Sequence, residues 1–182
     1  MKNIKATDFF QVWKNTVTKR KEEMLKIWRN NKELTLFVKG SENSIIDQIA
    51  NHFGLLSYPQ DYYSIDAILY AKEDLTPKIK ENTYWFRDIK VAFEHENNFK
   101  SGLYQEVSHL LITNCELKVL VSYPDYEPDD ELEYLHEIIK GTRHSKELSE
   151  KENFLIIFGY ENGFEWQGYI YNSEDWLKLN NN

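Results

Sequence analysis

The stretch WFRDIKVAFEHEN, residues 85–97, alternates with period two: Trp85, Arg87, Ile89, Val91, Phe93 and His95 fall on one side, and Phe86, Asp88, Lys90, Ala92, Glu94 and Glu96 on the other. That alternation predicts a strand. Its later half is apolar on one face and carries two carboxylates on the other, with about 6.6 Å of rise between the Cα atoms of Glu94 and Glu96. The wet face of an antiparallel strand often carries charge, so Glu-X-Glu acquires meaning only from what stands beside it.

Outward from that strand, residues 62–70, YYSIDAILY, form a second β-branched and aromatic run after a turn at Tyr58-Pro59-Gln60-Asp61. Asp66 lies inside it. Asp is disfavoured in strand interiors because its short side chain competes for backbone partners, and a residue that breaks a local rule marks a candidate site. Downstream, residues 101–114 read as a helix with Leu103, Val107, Leu110, Leu111 and Asn114 in one stripe, and residues 117–123, LKVLVSY, as a strand buried on both faces. A helix over 129–140 and a hairpin of residues 154–160 and 164–171 through Glu161-Asn162-Gly163 follow. Residues 142–152 read as a polar connection, and the C-terminus as one helical turn. Upstream, Ser41 is placed to cap a helix running to residue 52 or 53, with Glu42 in its first turn on the side of Ile45 and Ile46.

Length and composition frame these elements. The chain has 182 residues, 41% of them hydrophobic, enough for one domain with a real core. The sequence divides into a basic N-terminal helical extension with a short strand at 33–39, over residues 1–40, and an α/β domain over residues 41–182. The single cysteine, Cys115, forms no internal disulfide and fits a reducing compartment. No apolar run has signal-peptide length or reaches about 18 residues, so a cytoplasmic location away from membranes is expected.

The net charge of −8 argues against indiscriminate nucleic-acid binding, but it is uneven: residues 1–40 sum to +6 and the remainder to −14. An amphipathic helix over residues 7–29, with a break near 16–18, places Lys14, Lys19, Arg20, Lys21, Lys26 and Arg29 where they could approach a phosphate backbone. A packed helix with a solvated basic face accounts for the same pattern. His52, His95, His109, His136 and His144 stand without zinc spacing, and no Gly-rich phosphate loop or nucleophile elbow occurs.

The order helix, strand with Asp66, strand with Glu94 and Glu96, helix, buried strand resembles the core of the PD-(D/E)XK restriction-endonuclease-like superfamily, over about residues 41–123. The resemblance implies an α/β fold whose mixed central sheet is flanked by helices. It implies that Asp66 and Glu94 are metal ligands, that Glu96 occupies the slot usually held by lysine, and that Glu42 is the optional helix acid. Ile65 stands where the family has proline.

The implied activity is hydrolysis of DNA phosphodiesters with Mg²⁺ or Mn²⁺, by a nuclease or a nuclease-fold subunit of a defence, repair or mobile-element system. Acids at close quarters suit a hard cation, which binds phosphate oxygens and lowers the pKa of a bound water. Glu96 would orient or deprotonate that water or hold a second ion. The alternative expectation is a non-catalytic acidic binding protein of the inhibitor, immunity or DNA-mimic type, or a degenerate nuclease-fold protein; a protein partner or a homodimer is compatible with either.

Overall fold

The computed structural model describes residues 3–40 and 42–179, and its centre is one mixed sheet of seven strands in sequential order, β1 to β7. β2 (Ala67–Tyr70) pairs antiparallel with β1 (Leu56–Tyr58) on one side and with β3 (Val91–Glu96) on the other. β4 (Leu117–Ser122) runs parallel to β3, and β5 (Phe154–Tyr160) parallel to β4. β6 (Glu165–Tyr171) and β7 (Trp176–Leu179) then return antiparallel. Parallel neighbours need crossovers, and helices supply them.

Both faces of the sheet are covered. Against the face bearing Ala67, Leu69, Val91, Phe93, Val119 and Val121 pack α1 (Ala6–Lys19), α2 (Lys21–Ile27), α3 (Asn31–Thr35) and α4 (Ile45–His52). Against the face bearing Ile68, Ala92, Leu120 and Ile156 pack α5 (Tyr104–Ile112), α6 (Asp129–Lys140) and α7 (Ser145–Lys151). Residues 6–38, expected as an extension, share one apolar cluster with the sheet: Phe9, Trp13 and Val17 are fully buried there. Trp13 meets Phe93 at 6.0 Å and Trp166 edge-on at 5.3 Å, tying α1 to β3 and β6.

Several elements differ from expectation, each for an identifiable reason. Residues 33–39 are not a strand: Asn30 caps α3 by accepting from the Glu33 N–H at 3.3 Å, and Leu34, Phe37 and Val38 bury at helical spacing while Leu36 is left 45% exposed. The chain continues through a π-helical turn, Leu36–Gly40. The N-terminal helix breaks at Arg20 rather than near 16–18. Ser41 lies outside the described residues; the cap of α4 is Ser44, whose side chain accepts from the Asp47 N–H at 3.2 Å.

The strand expected over 85–97 begins only at Val91, because backbone groups of residues 85–87 bond to the 74–76 segment: Thr76 N–H donates to the Trp85 carbonyl and Arg87 N–H to that of Asp74. The strand expected over 62–70 is likewise confined to Ala67–Tyr70. The 142–152 connection contains α7, and the C-terminal segment is β7, held by the ladder to β6 and by the Trp176 indole donating to the Leu132 carbonyl at 2.8 Å. Among the described residues no helix is long and apolar enough to cross a membrane.

Replacing Trp13 with Ala removes the side chain that joins α1 to two strands, so unfolding in urea should show a loss of about 3–5 kcal/mol, the range for a fully buried Trp.

Candidate functional site

β2 and β3 run antiparallel with Ala67 opposite Phe93, and continuing that register by one residue sets Asp66 opposite Glu94. Alternation along β3 sends Phe93 and His95 to the α1 side and Ala92, Glu94 and Glu96 to the α5 side. Two backbone hydrogen bonds cross between the acids: the Asp66 N–H donates to Glu94 Oε2 at 3.3 Å, and the His95 N–H donates to Asp66 Oδ2 at 2.9 Å. Lys39, delivered by the π-helical turn, donates from Nζ to Asp66 Oδ1 at 2.6 Å and to the Asp66 carbonyl at 3.2 Å. That turn is anchored to the end of β3, because Asn97 Nδ2 donates to the Thr35 hydroxyl at 2.7 Å and to the Asn31 carbonyl at 3.2 Å.

Glu94 is 3% exposed. Burial first, then the charge of Asp66 and, less strongly, that of Glu106 push its carboxyl up to about 9, opposed by the hydrogen bond from the Asp66 N–H and, least, by Lys39. Its Oε1 has no hydrogen-bond partner; His109 Nδ1 lies 3.4 Å away. Glu106 and His109 lie one turn apart on α5. The Glu106 carboxyl is also raised, first by burial and then by the neighbouring charge of Glu96, and its Oε2 is buried without a hydrogen-bond partner. Glu96 itself is half-buried and accepts from the Asn98 N–H at 2.5 Å through Oε1.

Asp66 and Glu94 are thus brought together, and Glu106 links Glu94 to Glu96. Glu42 is elsewhere. It is exposed and precedes α4, beside Asn43, Asp47 and Ser57 at the edge of the sheet, so its expected place on the inward side of that helix is corrected. The basic set also stands apart, on helices packed against the opposite sheet face. Arg29 pairs with Glu161 at 2.8 Å; Arg20 pairs with Glu23 at 2.8 Å and stacks over Phe37; Lys14 and Lys21 lie over the rings of Phe10 and Phe164; Lys19 and Lys26 are exposed. His95 is buried, its Nε2 2.7 Å from the Tyr123 hydroxyl, and burial depresses its pKa to about 3, so the ring is neutral.

Sequence reasoning singles out neither Lys39 nor Glu106, and sets His109 aside with the other histidines for want of zinc spacing. Lys39 falls in a segment whose alternation imitates a strand. Glu106 carried a usable signal, since it lies three residues from Leu103 and four from Leu110, beside the apolar stripe of its own helix.

Comparison with protein-family models, with curated proteins and with solved structures finds no match to this chain. Among the described residues no group of three or more His, Cys, Asp or Glu side chains is placed to hold a metal ion. Two opposed carboxyl groups, Asp66 and Glu94, nonetheless offer oxygen donors of the kind hard divalent cations take, and Glu94 Oε1 and Glu106 Oε2 are buried without hydrogen-bond partners.

The raised pKa makes a signed prediction. The folded chain holds the Glu94 proton more tightly than the unfolded chain, so this contribution to stability is complete below about 4.5 and is lost as pH rises towards 9. The loss reaches on the order of 3 kcal/mol by pH 7. Glu94→Gln should therefore melt higher than wild type at pH 8, with the gap closing near pH 4.5; parallel melting curves across that range would show that Glu94 ionises freely.

Proposed function

We propose that this chain is a metal-dependent phosphodiesterase of the restriction-endonuclease-like kind, acting on nucleic acid. The observation that carries the proposal is the buried Glu94 carboxyl facing Asp66 across adjacent strands, with α5 packed behind them. The order α4, β1 to β3, α5, β4, with β4 parallel to β3, supports it.

Asp66 and Glu94 would hold the cation. When bound there, Mg²⁺ or Mn²⁺ would supply charge for the phosphate oxygens and acidify a water. The remaining work belongs to the chain. Lys39 places an ammonium beside Asp66, on the site's rim, and so supplies the positive charge that the family's motif lysine would bring and that Glu96 does not. Glu96, half-buried beside Glu106, would be the carboxylate that takes a proton from an attacking water.

The test is hydrolysis of plasmid and oligonucleotide DNA with Mn²⁺ or Mg²⁺. Asp66→Asn and Glu94→Gln should abolish turnover, and Lys39→Met should lower kcat by about a hundredfold, as loss of one preorganised charge typically does. Equal activity in all four proteins would reject the assignment.

A second reading, an acidic binding protein, is favoured by one observation. A groove of about 760 Å³ between α6 and β7 sets Asp129, Glu133, Glu137, Glu174 and Asp175 around Trp176. On that reading a basic peptide should bind with strong salt dependence, unaffected by Glu94→Gln.

A further inference from the structure

We infer that the substrate is a single-stranded nucleic acid, whose unstacked bases rest on Tyr63 and Trp85. The inference rests on the phosphodiesterase proposal and names the substrate of that same site. Tyr63 and Trp85 are 71% and 52% exposed, their ring centroids 6.3 Å apart and the planes inclined at 54°. They form two adjacent platforms rather than one slot.

Beneath them Tyr58, Tyr62, Tyr70 and Phe86 form an edge-to-face aromatic bed that packs on the α5-side cluster, the side Glu94 faces. The outer pair is therefore the wet layer of a rigid aromatic stack.

Backbone geometry places Tyr63 there at an energetic disadvantage. Tyr62 and Ile65 exchange both hydrogen bonds, 2.9 and 3.1 Å, closing a two-residue turn in which Tyr63 and Ser64 both have positive φ, 52° and 69°. Such a turn normally takes Asn-Gly, since a ring-bearing residue is strained in the left-handed region. Strain of this kind persists at positions with work to do. Here the turn projects an aromatic ring into solvent three residues before Asp66, which caps the Cα separation at about 11 Å.

Charge favours the same occupant. Residues 76–87, the loop carrying Trp85, hold Lys78, Lys80 and Arg87 against Glu81, a net of +2 within a region, residues 41–182, that sums to −14. Exposed aromatics within a locally basic strip are how proteins bind single strands without reading sequence, because every base has a π face. A duplex keeps its bases stacked and offers these rings nothing.

The test is an anisotropy titration of the full chain, in EDTA to prevent hydrolysis, with labelled oligothymidylate, labelled oligouridylate and a DNA duplex of equal length. At least one single strand should bind more tightly than the duplex, with Tyr63→Ala and Trp85→Ala each weakening it about tenfold while melting temperature and duplex binding stay unchanged. Wild-type affinity in both variants, or preference for duplex, would overturn the inference. Adding Mn²⁺ separates it from the parent proposal. Ring-dependent binding without cleavage would leave the platform standing and remove the hydrolase, whereas undiminished cleavage of single strands in both variants would remove the platform and leave the hydrolase.

Discussion

Two carboxylates opposed across adjacent antiparallel strands repel each other, and at the mouth of β2 and β3 the fold holds them there regardless. Directly opposite side chains in an antiparallel pair are close, and like charges so placed destabilise the sheet. Burial of Glu94 to 3% exposure aggravates this, since the low-dielectric interior strengthens the repulsion and withdraws water from the charged form. The energetic consequence is a carboxyl that remains protonated well above its ordinary range. An arrangement that lowers stability in the resting protein is intelligible where a ligand relieves it.

Much of the architecture can be seen as fixing that confrontation. The β2–β3 register sets the two residues face to face, and backbone N–H groups from Asp66 and His95 reach the opposing carboxylate and so limit side-chain motion. Asn97 ties the end of β3 to α3, and α3 feeds the π-helical turn from which Lys39 reaches Asp66. Single π-helical turns are uncommon and recur at functional sites because the wider coil redirects a side chain. On the other side α5 brings Glu106 and His109 over Glu94. The neutral His95, bonded to Tyr123, is part of the packing beneath the site.

The sequence made parts of this plain and concealed others. Alternation announced β3 and the separation of Phe93 from Glu94, and first-turn acids with a following Gly141 bounded α6 over Asp129–Lys140. These features are local, written in side-chain period and capping. Residues 33–39 misled because Leu34, Leu36 and Val38 alternate; only the environment decides that Leu36 faces water while Phe37 turns inward. β7 was hidden for a related reason: Leu177, Lys178 and Leu179 suit a helical turn as well as a strand, and only the ladder to β6 decides between them. At the site, Asp66 was legible as an acid in an unfavourable strand position, and Glu94 through the element order that sets its strand beside that of Asp66. Lys39 was not, since its role comes from contact across 27 residues of chain.

Proton release on cation binding tests the central claim most directly. At pH 7.5 a Glu94 carboxyl raised to about 9 is largely protonated, so a divalent cation taken up between Asp66 and Glu94 would have to displace that proton. Calorimetric titration with Mn²⁺ in buffers of different ionisation enthalpy should show one saturable site and the release of about one proton per ion bound. Saturable binding without proton release, or no binding, would contradict the account.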